Sequence, residues 1–122
     1  MTPLQHAFRF LFSIMSASDT DMARKTKLMS VFMSKFSALI DFDLSSELNT
    51  LSQMNEESLL HAQQDSMLQL KQCAMNDLCQ GTIEIAVQIG SLDGALRDDE
   101  YIPITHAARE WGIDIDSLLK KK

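Results

Sequence analysis

The chain has 122 residues, of which 45% are hydrophobic and 23% charged, with eight Met, four Gly, two Pro and a net charge of -6. One domain of that length buries about two-thirds of its unfolded surface without a disulfide or structural metal, and so few Gly and Pro argue against a turn-rich β fold. Residues 1–40 carry five basic against two acidic side chains, residues 41–119 carry three against fifteen, and three lysines close the chain. An acidic surface of this kind repels a phosphate backbone, so nucleic acid is set aside as a partner in favour of cations or basic protein surfaces.

From Leu4 to Met15, the residues Leu4, Ala7, Phe8, Leu11, Ile14 and Met15 recur at the spacing of one helical face. Phe10 and Phe12 widen that face, which predicts a helix lying between others. The run is short and interrupted by Arg9 and Ser13, and no Lys/Arg cluster follows Met1, so it reads as a structural helix and not a secretion signal. Ser18, Asp19 and Thr20 are N-cap residues for a second helix, expected from about Asp21 to Ile40. Its inward face joins Leu28, Phe32, Phe36 and Leu39, flanked by Met22, Met29, Met33 and Ile40. Arg24, Lys25 and Lys27 occupy its first two turns, where the helix dipole disfavours cations. They are expected to face solvent, a partner, or the acidic half of the domain.

Asp43 or Ser45 is expected to cap a short third helix. A stronger one begins at Asn55, with Leu59, Leu60, Ala62, Met67, Leu70 and Ala74 inward and Gln63, Gln64, Asp65 and Gln69 in water. Asn76 and Asp77 break or restart it. The segment "LCQGTIEIAVQIGSL" is apolar on nearly every side except at Gln80, Glu84 and Gln88, which predicts a central helix with one polar seam. A last helix is expected from about Asp98 to Trp111, ended by Gly112, with a short capped turn from Asp114. Pro103 fits poorly inside it and predicts either a start nearer Glu100 or a kink. The whole is an all-α, compact single-domain bundle of five to seven helices spanning residues 1–122.

Cys73 and Cys79 stand six apart in one helical-looking segment and are read as reduced, buried thiols of a cytoplasmic protein. His6, His61 and His106 form no HxxxH or HExxH pattern and read as surface or cap residues, with His106 and Glu110 spaced for an ion pair. The methionines at Met15, Met22, Met29 and Met33 suit core filler or an adaptable docking surface. No GxSxG elbow and no phosphate-cradling glycine loop is present, so enzymatic activity has no residue-level support.

The stretch "IGSLDGALRDDEY", residues 89–101, gathers Asp93, Asp98, Asp99 and Glu100 after a run of small and apolar residues. It fails as an EF-hand loop: with Gly94 at position 6 the first ligand position is Ile89, and with Asp93 at position 1 the bidentate position is Ile104. An Asp-Gly turn between two helices remains, in which Gly94 supplies a left-handed corner and Asp98 to Glu100 meet the positive end of the next helix.

The longer segment "EIAVQIGSLDGALRDDEYIPITHAAREWGID", Glu84 to Asp114, resembles the second half of the TerB-like domain of tellurite-resistance proteins, found also at the N-terminus of the membrane co-chaperone DjlA. The matching elements are Asp93, Gly94, Glu100 and the pair Trp111-Gly112. The family pattern occurs twice, and "FSIMSASDTDMARKTKLMSVFMSKF" follows it loosely, with Asp19 in the place of Asp93, Thr20 in that of Gly94 and Thr26 in that of Glu100. The resemblance implies two degenerate helix-pair repeats in an all-helical bundle. It also implies a non-enzymatic cytoplasmic interaction module, responsive to a divalent cation such as Ca²⁺ and linked to bacterial stress response. Asp93, Glu100, Asp19 and Glu84 are the metal candidates. Partners are then proteins, basic or membrane-associated ones included, without membrane insertion. A second reading is a structural or oligomeric helical domain with no metal site, whose Phe and Met faces pair between copies. A third assigns Glu84, Asp93 and Glu100 to metal-assisted hydrolysis and requires that they converge in a deep pocket.

Overall fold

The computed structural model describes residues 3–16, 22–40, 42–73, 75–90 and 98–115. Six α-helices are present among them, with no strand: α1 Pro3–Met15, α2 Met22–Lys35, α3 Leu44–Ser52, α4 Glu56–Cys73, α5 Asn76–Gly90 and α6 Asp98–Glu110. The all-α bundle expected from periodicity is the observed architecture.

Two helices form the centre. α1 begins with Pro3, whose missing N–H costs nothing at a first helical position. It buries Leu4, Ala7, Phe10, Leu11 and Ile14 almost completely and packs chiefly on α4 and α5. α5 is buried on most of its circumference, while Gln80 and Gln88 are exposed and Glu84 is half-buried, which is the expected polar seam. Thr82 is tolerated there because its hydroxyl donates to the Leu78 carbonyl at 2.7 Å. Around this pair, α2 and α6 pack on α5, and α4 closes the far side of α1.

α2 stops at Lys35, five residues before the expected end, and continues as a 3₁₀ turn at Ser37–Leu39. At the break the Phe36 ring lies against Gly81 of α5, where an added Cβ would stand 3.0 Å from the ring. Asp43 caps α3, its Oδ1 accepting from the N–H groups of Ser45 and Ser46 at 3.0 and 3.3 Å. α6 starts at Asp98 and runs through Pro103, so the start near Glu100 is not adopted. It ends as predicted at Gly112, with φ of 70°. Ile113 N–H reaches back to Ala108 O at 2.8 Å and Gly112 N–H to Arg109 O at 3.3 Å, a Schellman closure.

Several inward and outward assignments need correction. Lys25 is completely buried, not on a solvated or partner face. Its ammonium donates to the carbonyl of Met15 at 3.4 Å, meeting the partly negative C-terminal end of α1. His6 is buried as well, because α1 is enclosed on nearly all sides. On α4 the buried row is Gln63, Ser66, Met67 and Leu70, while Leu60 is 49% exposed. Gln63 is drawn inward by a hydrogen bond at 2.9 Å to the Ser13 hydroxyl, which itself donates to Phe10 O at 2.6 Å. The cysteines belong to different helices: Cys73 ends α4 and is exposed, whereas Cys79 is buried in the first turn of α5.

Candidate functional site

Of the four metal candidates, only the Glu84 side chain belongs to the described structure. Asp19, Asp93 and Gly94 lie outside the described residues, and Glu100 falls in the first turn of α6. Glu84 is on α5, where its Oε1 accepts from Gln80 Nε2 at 3.2 Å. Among the described residues, no group of three or more His, Cys, Asp or Glu side chains has the arrangement to hold a metal ion.

The feature best suited to recognition is a groove of about 270 Å³ between α1, α2 and α3. Phe8, Phe12 and Met15 form its α1 wall, Met29 and Met33 its α2 floor, and Leu44 and Leu48 its α3 rim. The spacing explains the convergence. Residues 8, 12 and 15 share one face of α1, and residues 26, 29, 30 and 33 share one face of α2. Leu48 remains 46% exposed at the lip, and Thr26, Ser30 and Ser45 give the rim small hydroxyl groups. The three thioethers and two aromatic rings are each 6–8% exposed, so they belong to the core as well as to the groove, and the methionines are its most adaptable members.

A polar tie joins two of the helices that form the groove, α1 and α3. Glu47 of α3 is buried, and its carboxylate accepts from Arg9 Nε and, at 2.7 Å, from Gln5 Nε2, both on α1. Two donors satisfy the buried carboxylate, which fixes α3 against α1 and therefore Leu44 and Leu48 opposite Phe8 and Phe12. Glu47 carried no periodic or motif signal. Its pairing with Arg9 spans 38 residues and is invisible without the fold.

A second cavity, of about 260 Å³, lies between α4 and α6, lined by Gln64, Met67, Leu68, Lys71, His106 and Glu110. Lys71 donates to Glu110 at 2.7 Å and His106 approaches the same carboxylate at 3.7 Å, the i, i+4 pair that was expected. The Lys71 ammonium holds the Glu110 carboxyl below the usual carboxylate range. Lys71, Glu110 and His106 are 52%, 36% and 57% exposed, so the cluster is a solvent-accessible ion pair.

No described helix is long and apolar enough to cross a membrane. No family model, curated protein or solved structure matches the chain.

Proposed function

We propose that this chain is a non-enzymatic helical interaction module of TerB-like type, which receives an apolar segment of a partner protein in the groove between α1, α2 and α3. The observation that carries the reading is the open, methionine-floored groove itself, with Leu48 exposed at its lip. Buried apolar contact of this kind is how helical modules hold a partner helix. The cytoplasmic setting, the link to stress responses including tellurite resistance, and a response to Ca²⁺ through Asp93, Glu100, Asp19 and Glu84 belong to the same reading. They rest on the motif resemblance over residues 84–114 and, for Asp19, on the looser match in the first half of the chain.

A photo-crosslinking residue placed at Leu48 tests the groove inside the cell that makes the protein, with Gln88, exposed on α5, as the control position. The reading expects a discrete product from position 48 that is absent from position 88. The same products from both positions would remove it. The cation part is separate: calorimetric titration with Ca²⁺, Mg²⁺ and Zn²⁺ should show heat and a raised melting temperature for one of them. Absence of both for all three ions eliminates that part alone.

A further inference from the structure

Cys73 and Cys79 belong neither to the groove nor to the cavity between α4 and α6. In one unbroken helix a separation of six residues would set them about 120° apart around the axis and about 9 Å apart along it, too far to bridge. The chain does not stay in one helix. α4 ends at Cys73 and α5 starts at Asn76, so Cys73 closes one helix while Cys79 sits in the first turn of the next. There the Cys79 Sγ lies 3.8 Å from the Leu70 carbonyl oxygen, a contact that brings the first turn of α5 onto the last turn of α4.

Leu70 stands three residues before Cys73 on α4, and a helical side chain reaches the carbonyl three residues back: Ser13 does so to Phe10 at 2.6 Å and Ser52 to Asn49 at 3.0 Å. The same rotamer of Cys73 would bring its sulfur to the carbonyl that Cys79 already touches. The two thiols thus share one oxygen atom as neighbour, approached from two helices. The Cys73 thiol is also near enough that its charge counts, after burial, among the causes that raise the Cys79 pKa. Met75, Asn76, Asp77 and Leu78, which connect the cysteines, border an open cleft of about 510 Å³ together with Phe36. The connection therefore has room to adjust as the sulfurs come to bonding distance.

We infer that Cys73 and Cys79 form a reversible redox clasp at the corner between α4 and α5, closed as a disulfide by exchange with a small-molecule disulfide and reopened by the corresponding thiol. Cys73 is exposed and Cys79 buried, which assigns the order of events. The Cys73 thiolate attacks one sulfur of the small disulfide, a first small thiolate leaves, and Cys73 carries a mixed disulfide. Cys79 then gives its proton to solvent, its thiolate attacks the Cys73 sulfur, and the second small thiolate leaves. Each leaving thiolate takes up a proton, so two protein thiols lose two electrons and two protons while one small disulfide becomes two thiols. Burial keeps the Cys79 thiol protonated, which makes the second step the slow one. The mixed disulfide speeds it by removing the Cys73 charge that opposed ionisation. The clasp is open under a reducing poise and closes under an oxidising one.

Equilibration of the chain in buffers of defined glutathione to glutathione disulfide ratio, followed by acid quenching and peptide mapping without reduction, tests this. The expected product is a Cys73–Cys79 link within one chain. It should form at a ratio about tenfold or more further to the reducing side in the folded protein than in urea, because the fold holds the thiols together. The bridged chain should keep its helical circular dichroism and melt at a higher temperature than the reduced one. Cys79→Ala should stop at a single glutathione adduct on Cys73, and Cys73→Ala should take up none while folded. A wild-type chain that stops at the Cys73 adduct at every ratio overturns the inference, as does a link no easier to form folded than in urea, or one whose closure melts the helices. The comparison with urea uses the wild-type chain, so it decides the matter even where replacement of the buried Cys79 impairs folding.

Discussion

The indole N–H of Trp111 donates to the backbone carbonyl of Met67 at 2.9 Å, tying the end of α6 to the middle of α4 across 44 residues. The same ring lies 5.5 Å from that of Phe10, so three helices meet at one side chain. Trp111 closes this corner by a directed bond as well as by area. Trp111→Phe should therefore cost about 1 kcal/mol, the net worth of the lost hydrogen bond. Trp111→Ala should cost about 3 kcal/mol or more through the cavity. Urea unfolding followed by far-ultraviolet circular dichroism measures both.

The tie between Arg9 and Glu47 predicts an asymmetry. Glu47→Ala leaves the Arg9 guanidinium without its buried carboxylate and should destabilise the fold by about 2 kcal/mol. Replacing both residues with Met should cost less than Glu47→Ala alone, because no unpaired charge remains. A double-mutant cycle on denaturation midpoints checks the order.

His6 sets an acid sensitivity. Its Nδ1 is buried without a hydrogen-bond partner. Burial, more than any charge, lowers its pKa below the usual 6.5. Asp65 and Glu47 oppose the shift, and the amino terminus and Arg9 add to it. The unfolded chain thus takes up a proton that the folded chain refuses. The stability His6 allows is fully present above pH 6.5 and is lost as pH falls through the lowered folded-state value. His6→Leu should be neutral or stabilising at pH 7 and should flatten the fall in stability below pH 6.5. Equal slopes for variant and wild type in melting experiments across this range would contradict the assignment.

Cys73 and Cys79 should differ sharply toward an alkylating agent. Cys73 is exposed, whereas burial and the nearby Cys73 push the Cys79 thiol up to about 11. Because the thiolate is the nucleophile, iodoacetamide at mildly alkaline pH should label Cys73 alone in the folded protein and both residues in urea. Mass spectrometry of the labelled peptides reads this directly.

Gly81 is required by its neighbour and not by its backbone. A Cβ there would meet the Phe36 ring at 3.0 Å. Gly81→Val should destabilise by about 2 kcal/mol through overpacking. Phe36→Ala in the same chain should cost less than it does in the wild type, since it relieves the clash.

Local pattern located the helices. The face of α1, the polar seam of α5, the Asp43 cap and the Gly112 stop each depend on residues within one or two turns of each other, and the chain carries that information directly. The rotation of each helix about its own axis does not. Gln63 and Lys25 were read as outward because polar side chains prefer water. They are buried because α1 offers Gln63 the hydroxyl of Ser13 and offers Lys25 the carbonyl of Met15, partners 50 and 10 residues away. Leu60 turned outward in consequence, since α4 presents the Gln63 row to α1.

The same division holds for the candidate site. The methionines and phenylalanines of the groove were legible as apolar faces of two separate helices, while the acidic corner near residue 93 lies outside the described residues. Only the packing of α1 against α2, with α3 locked across them by Glu47 and Arg9, made the two apolar faces into one concave surface. Helix formation is governed by neighbours in sequence, whereas a groove is made by side chains far apart in the chain whose burial is settled only when the whole domain packs.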